Sequence, residues 1–225
     1  MQNERRTMKK FNAFTLAEVL ITLGVIGVVA AMTIPTVVNK YKERATVSKV
    51  KKIYSTMNQA FLLSVKDNGY ANEWNVGDGS SETTARQIAS YFKPYLKILK
   101  DCGTSSGCLG YTENVNRLYG GKHTVNYDKG SEYYKMILND GSYIWIRGVA
   151  NYCQTDEGGH PAVCGVIFLD INGGKQPNTI GKDIFSMVIT PYAIKPSVTN
   201  DCMKNGTGWG CSGYILKNGN MNYLH

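Results

Sequence analysis

The pattern of apolar and polar positions changes twice along this chain of 225 residues. From Val19 to Val38 nearly every residue is apolar, and one ionisable side chain, Glu18, stands just before the run. About 20 apolar residues in a helix cross the hydrocarbon core of a bilayer. The pattern therefore predicts a membrane-spanning helix over residues 14–38.

The apolar positions become periodic after this run. They recur at steps of three and four, as on one face of an amphipathic helix. These positions are Val47, Val50, Tyr54, Met57, Phe61 and Val65. We expect the helix to continue through 39–67 and to end at Asn68-Gly69, a typical stop signal. Its apolar face needs a partner, which the downstream residues must supply.

The period changes again near residue 133, where strand patterns begin. YYKMIL and SYIWIRGV flank Asn139-Asp140-Gly141, a pattern that predicts a hairpin with a tight turn. The apolar runs at 163–171 and 183–190 predict two further strands. We also expect a closing hairpin from Tyr214–Lys217 and Met221–Leu224, joined by Asn218-Gly219-Asn220.

The stretch between the long helix and the first hairpin is mixed. Helical spacing from Thr84 to Leu99 is interrupted at Pro94, and residues 101–131 are rich in glycine and loops. A long helix followed by a run of strands predicts an α+β fold with an antiparallel sheet. We expect residues 68–225 to form one globular head, with the apolar face of the helix covering one side of the sheet.

The distribution of charge and the sequence motifs disfavour some functional classes. The net charge is +8, but residues 68–225 hold fourteen Lys or Arg against thirteen Asp or Glu. The basicity therefore lies near the membrane segment, and a nucleic-acid-binding head is disfavoured. The sequence contains no His-Glu-x-x-His motif and no phosphate-binding glycine loop. We expect a protein that is not an enzyme.

Six cysteines all lie beyond residue 100 of the chain. An even number beyond a membrane segment favours disulfides in an oxidising compartment. The cysteines fall into three close couples, which favours Cys102–Cys108, Cys153–Cys164 and Cys202–Cys211. Free thiols and other pairings stay open as alternatives. Zinc at Cys153, His160 and Cys164 is disfavoured, because only three ligands are near one another and a disulfide accounts for the cysteines.

The segment KKFNAFTLAEVLITLGVIGVVA resembles the leader and N-terminal segment of type IV pilins and type II secretion pseudopilins. The resemblance implies a leader peptide at 1–13, cleavage after Ala13 by a prepilin peptidase, and N-methylation of Phe14. The family usually has glycine before the cleavage site, whereas this chain has Ala13. The resemblance also implies a pilin-like head on a retained N-terminal helix.

Under this interpretation, Glu18 and Pro35 are the residues expected to act in subunit assembly. A carboxylate in a membrane helix is costly unless it is paired. Cleavage after Ala13 makes Glu18 the fifth residue of the mature chain, so that it can meet the new α-amino group of its own or a neighbouring subunit. Pro35 matches a proline that many family members carry, and it loosens the helix. The alternative is an interfacial Glu18 that stays hydrated.

The loop LDINGGKQPNTIGKDIF resembles a stretch found in many pseudopilin-like heads. Its oxygen-bearing side chains, Asp170, Asn172, Asn178 and Asp183, are candidate ligands for calcium, a cation that prefers oxygen. The alternative, which we favour, is a loop in which these side chains cap backbone amides. The loop is not an EF-hand, because it lacks the third acidic position and the final glutamate. No cofactor other than this possible calcium is expected.

These features predict a pilin or pseudopilin, either a major or a minor subunit, of a type IV pilus or a type II secretion pseudopilus. The resemblance implies as partners other subunits, a prepilin peptidase, and an assembly platform with its ATPase. The protein is then expected in the bacterial inner membrane before assembly and in a periplasmic or surface filament afterwards. Two alternatives remain: a membrane-anchored binding or adhesion domain that never polymerises, and an anchored extracytoplasmic enzyme.

Overall fold

A computed structural model describes residues 14–77, 79–111 and 114–225. The predicted leader at 1–13, with Ala13 at its end, lies outside the described residues. The chain divides into two compact units, Met1–Lys42 and Glu43–His225. The first helix, α1, contributes residues to both units.

Three α-helices and eight strands make up the described secondary structure. The helices are α1 (Leu16–Asn68), α2 (Glu82–Ser90) and α3 (Cys211–Asn218). The strands are β1 (Ile98–Gly103), β2 (Tyr134–Leu138), β3 (Tyr143–Gly148), β4 (Thr155–Glu157), β5 (His160–Val163), β6 (Gly165–Asp170), β7 (Ile184–Ile189) and β8 (Ile194–Pro196). Short 3-10 turns lie at Ala71–Glu73, Lys93–Tyr95, Asn151–Cys153 and Asn222–Leu224.

The long helix predicted over 14–67 is confirmed. It ends where the sequence indicates, because Gly69 adopts a positive φ of 77° that disfavours other residues. The backbone N–H of Gly69 donates to the carbonyl oxygen of Val65 at 2.9 Å. Pro35 lies inside the helix, where it has no N–H to donate.

The main sheet has six strands in the order β1-β2-β3-β6-β7-β8, and all neighbours are antiparallel. The predicted hairpin is the β2–β3 pair, whose turn contains Gly141 at a φ of 80°. The predicted strands at 163–171 and 183–190 correspond to the central strands β6 and β7. Strands β4 and β5 form a separate small hairpin. The α+β class with an antiparallel sheet is therefore confirmed.

One face of the sheet packs against α1, as the amphipathic pattern requires. Val50, Ile53, Met57 and Phe61 of the helix are buried in the same cluster as apolar side chains that alternate along the central strands. The strand members are Met136, Ile144, Ile146, Ile167, Leu169, Phe185, Met187 and Ile189. Successive strand side chains point to opposite faces, so this period-two set belongs to one face.

The opposite face carries an aromatic cluster covered by loops. Trp145, Phe168 and Val188 alternate with the residues of the first face and contact Tyr127 and Tyr133 from the loop before β2. The rings of Trp145 and Phe168 are stacked with centroids 5.9 Å apart. Because both faces are covered, all residues of β6 and β7 are buried.

The predicted closing hairpin at 214–217 and 221–224 is wrong. Tyr214–Lys217 lies in α3, and Asn222–Leu224 forms a 3-10 turn. The cause is Gly219, which adopts the left-handed conformation and donates its N–H to the Ile215 carbonyl, as in a helix C-cap. Asn-Gly marks both hairpin turns and helix ends, and a four-residue apolar run does not separate the two.

The helix predicted from Thr84 to Leu99 is shorter than expected. Helix α2 ends at Ser90, Pro94 lies in a 3-10 turn, and Leu99 belongs to the edge strand β1. The start of α2 is fixed by a capping box. Ser81 Oγ accepts from the Thr84 N–H at 3.2 Å, and Thr84 Oγ1 accepts from the Ser81 N–H at 3.0 Å.

Replacing Phe61 tests the contact between the helix and the sheet. Phe61 is fully buried and contacts Trp74 and Phe92, whereas its neighbour Leu62 is 61% exposed. Phe61→Ala should lower the free energy of unfolding of the head by about 3–5 kcal/mol, because it removes a large core side chain. Tryptophan fluorescence in a urea titration of the full chain in detergent measures it. Leu62→Ala is the control, and equal losses in both variants would contradict the packing described.

An ion pair connects α1 to the turn between β2 and β3. Lys52 Nζ lies 2.7 Å from Asp140 Oδ2, and Asp140 Oδ1 accepts from the N–H and hydroxyl of Ser142. Burial opposes ionisation of Asp140, but these hydrogen bonds outweigh it and lower its pKa to about 2. The carboxylate therefore stabilises the folded state while it is charged.

The contribution of Asp140 to the free energy of unfolding should change with pH between the pKa values of this group in the unfolded and folded chain. Because the pKa is lower in the folded chain, the stabilisation is present above pH 4 and is lost as the pH falls towards 2. Asp140→Asn should reduce the free energy of unfolding at pH 7 by up to about 1 kcal/mol, a modest figure because the pair is partly exposed. The difference from wild type should shrink at pH 2. Urea titrations at both pH values measure it, with the exposed Asp156→Asn as control.

Candidate functional site

The start of α1 is held by a reciprocal pair of side chains. The Thr15 N–H and the Thr15 hydroxyl both donate to Glu18 Oε2 at 2.8 Å, and the Glu18 N–H donates to Thr15 Oγ1 at 3.2 Å. This is a capping box, which satisfies backbone donors that have no partner inside the helix. Our sequence analysis missed it, although Thr-x-x-Glu before an apolar run is its known signal.

The capping box leaves Phe14 outside the helix. Phe14 precedes the first helical residue and is 84% exposed. Glu18 Oε1 makes no hydrogen bond to any residue in the described ranges, whereas Oε2 is occupied by Thr15. One carboxylate oxygen thus organises the helix start, and the other is available to a donor from elsewhere.

The N-terminal part of α1 exposes apolar side chains all around the helix. Its large exposed residues are Leu16, Val19, Leu20, Ile21, Leu23, Val25, Ile26, Val28, Val29, Met32, Ile34, Val37 and Val38. Among the described residues, α1 is the one helix long and apolar enough to cross a membrane. Such a surface is stable in lipid or against other apolar helices, because exposing it to water is unfavourable.

Two threonine hydroxyls within this apolar stretch are satisfied by the helix itself. The Thr22 hydroxyl donates to the Val19 carbonyl at 3.0 Å, and the Thr33 hydroxyl donates to the Val29 carbonyl at 2.9 Å. Gly24 and Gly27 leave open space, since a Cβ at either position would meet nothing within 4 Å. Small residues of this kind permit close approach of a second helix.

The head contains three disulfides, all with the pairing that the sequence favoured. They are Cys102–Cys108, Cys153–Cys164 and Cys202–Cys211. The structure does not support a zinc site at Cys153, His160 and Cys164, because Cys153 and Cys164 are bonded to each other. His160 Nε2 lies 2.8 Å from the Pro196 carbonyl instead.

The loop from Asp170 to Asp183 folds around two buried carboxylates. Asp183 accepts from the backbone N–H of Asn178 at 2.8 Å, the N–H of Thr179 at 2.6 Å and the side-chain amide of Asn172 at 3.2 Å. Asp170 accepts from the Asn172 N–H at 3.0 Å and the Tyr111 hydroxyl at 2.5 Å. Burial raises the pKa of Asp170 to about 8, against the opposing hydrogen bond from Tyr111.

The structure brings the four predicted calcium ligands together but already occupies their carboxylates with N–H and O–H donors. This geometry supports the capping alternative. The side-chain oxygens of Asn172 and Asn178 are buried without a hydrogen-bond partner among the described residues. The described part of the chain contains no group of three or more His, Cys, Asp or Glu arranged to hold a metal. Calcium binding stays a prediction.

Comparison with known families finds one match for the N-terminal part of the chain and another for the rest. Residues 8–34 match the prokaryotic N-terminal methylation motif, the signature of type IV pilins and pseudopilins. Residues 36–222 match a family described as a family of unknown function (DUF6613). This chain belongs to the DUF6613 family. No curated protein and no solved structure gave a significant match.

The methylation motif confirms the resemblance drawn from Phe14, Thr15, Leu16 and Glu18. This DUF6613 member is a type IV pilin-like or pseudopilin-like protein, with a motif typical of structural rather than enzymatic proteins. The motif and the apolar helix together are consistent with anchoring in a membrane before assembly. The DUF6613 match covers the head and carries no functional description.

Replacing Asp183 separates the capping and calcium interpretations of the loop. Asp183→Ala should lower the free energy of unfolding by about 2–4 kcal/mol, because three N–H donors lose their acceptor. Urea titrations with EDTA and with added Ca²⁺ measure it, with Asp156→Ala as control. A loss that is the same in both conditions indicates capping alone. A wild-type gain with Ca²⁺ that the variant lacks indicates a calcium site.

Proposed function

We propose that this protein is a structural subunit of a type IV pilus or a type II secretion pseudopilus. The observation that carries the proposal is a continuous α1 whose first part exposes apolar side chains in every direction and bears the methylation motif. One face of its second part is buried in the head. Such a helix suits storage in the inner membrane, followed by packing among identical helices in a filament.

Processing is the first step of the proposed mechanism. A prepilin peptidase cleaves after Ala13, and the new N-terminal Phe14 is methylated. The capping box supports this, because it begins the helix beyond Phe14 and keeps that residue out of helical structure. An extended segment is accessible to a peptidase, whereas a helical one must first unfold.

Glu18 then aligns neighbouring subunits. Its Oε2 atom is held by Thr15, which fixes the side chain, while Oε1 has no partner among the described residues. In a filament, Oε1 accepts from the positively charged α-amino group of Phe14 on an adjacent subunit. A charge pair between apolar helices disfavours registers that leave either charge unpaired, and so it sets the stagger of the subunits.

The head forms the filament surface and carries contacts with the surroundings. The partners in this mechanism are other pilin subunits, the prepilin peptidase, and an assembly platform with its ATPase. The filament is then located in the periplasm or at the cell surface. The competing function is a membrane-anchored binding domain that does not polymerise, in which the capping box would still start the helix but Glu18 Oε1 would need no donor from another subunit.

Changing Glu18 in cells that carry the cognate assembly machinery tests the proposal. Glu18→Ala should reduce the amount of protein in purified filaments at least tenfold, because the amine of the neighbour loses its counter-ion. Thr22→Val, in the same helix, is the control and should assemble normally. Quantitative immunoblots of the filament and membrane fractions measure the distribution.

Mass spectrometry of the same filament fraction identifies the processed N-terminus. The mature chain should begin at methylated Phe14. An N-terminus beyond residue 35, or wild-type protein that stays in the membrane fraction beside functional machinery, would contradict the proposal. Equal incorporation of wild type and Glu18→Ala would remove the role of Glu18 in alignment.

A further inference from the structure

The loop-covered face of the sheet encloses a cavity that the assembly mechanism does not use. Its volume is about 420 Å³, within the range of small-molecule sites. Aromatic side chains form much of its lining: Tyr127, Tyr133, Phe168 and Trp209. Neighbouring rings meet edge to face, with centroids 5.1 Å apart for Tyr127 and Tyr133 and 5.4 Å apart for Phe168 and Trp209. Aromatic rings therefore form the apolar part of the walls.

Two phenol groups in this lining have no hydrogen-bond partner. Tyr127 is 2% exposed and Tyr133 is 6% exposed, and neither hydroxyl is bonded to any residue of the described chain. Neither oxygen is among the buried polar atoms of the described chain that lack a hydrogen-bond partner, so both hydroxyls reach the open space of the cavity rather than being sealed in the core. Both hydroxyls keep their protons at neutral pH, because burial raises the pKa of Tyr133 to about 12 and that of Tyr127 still higher. Both can donate to a molecule in the cavity.

His123 adds a further donor to the same lining. Its Nδ1 atom accepts from the Val125 N–H at 3.1 Å, so the neutral ring carries its proton on Nε2. Burial lowers the pKa of His123, and the charge of Arg117 lowers it further, which favours the neutral ring. The ring meets Trp209 edge to face with centroids 5.7 Å apart. The imidazole thus presents an N–H beside an aromatic wall.

The charged groups and the serine hydroxyls at the cavity are already paired with one another. Arg147 and Glu157 form an ion pair, and the hydroxyls of Ser186 and Ser197 are 2.8 Å apart. The cavity therefore offers neither a free anion nor a free cation to a ligand. Its unpaired groups are neutral donors and acceptors between aromatic faces.

We propose that this cavity binds one neutral sugar residue. A pyranose ring has an apolar C–H face that packs on aromatic rings, and its hydroxyls both donate and accept hydrogen bonds. It can satisfy Tyr127, Tyr133 and His123 together, which an apolar side chain from another protein cannot do. Arg147 and Glu157 neutralise each other, so the lining carries no net charge that would favour a charged sugar over a neutral one. The head of each subunit would then recognise a neutral glycan.

Sugar binding is measured on the full chain before assembly, so its outcome does not depend on filament formation. The protein is kept in dodecylphosphocholine, a detergent without a sugar headgroup. Ligand-observed NMR titrations use glucose, galactose and N-acetylglucosamine. Glucosamine and glucuronate are the charged comparisons, and N-acetyltyrosinamide represents a protein side chain. We expect saturable binding of at least one neutral sugar and weaker binding of the charged ones.

Single-atom variants locate the binding site. Tyr127→Phe and Tyr133→Phe should each weaken binding about five- to tenfold, which corresponds to one lost hydrogen bond. Neither change breaks a bond within the described structure, so both variants should fold. Tyr192→Phe, with a ring 68% exposed and outside the cavity, should bind as wild type does. The proposal is overturned if no neutral sugar saturates, if N-acetyltyrosinamide alone does, or if the cavity variants bind with unchanged affinity.

Discussion

The structure depends on one requirement, which is that α1 must cover its apolar surface. Within the second unit the sheet covers the apolar surface of α1, since Val50, Met57 and Phe61 are fully buried among strand side chains. Within the first unit the described residues offer nothing comparable, and large apolar side chains stay exposed. The apolar surface of α1 is therefore covered within the head and left uncovered in the N-terminal part of the helix. A membrane covers such a surface, and so would the filament core of the proposed assembly.

The two faces of the sheet have different partners, because successive side chains along each strand point to opposite faces. Ile144, Ile167 and Phe185 point to the helix and form a continuous aliphatic core. Trp145 and Phe168 point the other way and meet tyrosines from the loops. Loops cover a surface less completely than a helix does, and the cavity lies on that side. The surface that packs against α1 and the cavity that we propose binds a sugar thus lie on opposite faces of one sheet.

Carboxylates are the other recurrent element of the fold. Glu18, Asp170 and Asp183 each accept hydrogen bonds from donors a few residues away. Asp201 does the same for the backbone N–H groups of Trp209 and Gly210, at 3.1 and 2.7 Å. Such bonds organise turns and helix starts without a metal, because the acceptor satisfies N–H groups that regular structure leaves free. Long loops in this head are stabilised by these acceptors and by the disulfides together.

The sequence alone determined the elements whose signals are local and long. A 53-residue helix, the Asp140-Gly141 hairpin and the two central strands follow from periodicity and turn residues. The spacing of the cysteines indicated their pairing, and the Phe14–Glu18 motif indicated the pilin-like class. These features depend on residues close together in the chain, and so a pattern can reveal them.

Tertiary structure decided what depends on residues far apart in sequence. Ile215 lies in a helix rather than a strand because Gly219 caps that segment while Cys211 is bonded to Cys202. The cavity joins Tyr127, Phe168 and Trp209 from three separate segments, and no pattern in any one of them signals it. Whether a tyrosine hydroxyl is paired or free is likewise a property of its neighbours in space. Short apolar runs and lone aromatic residues are ambiguous until packing selects their partners.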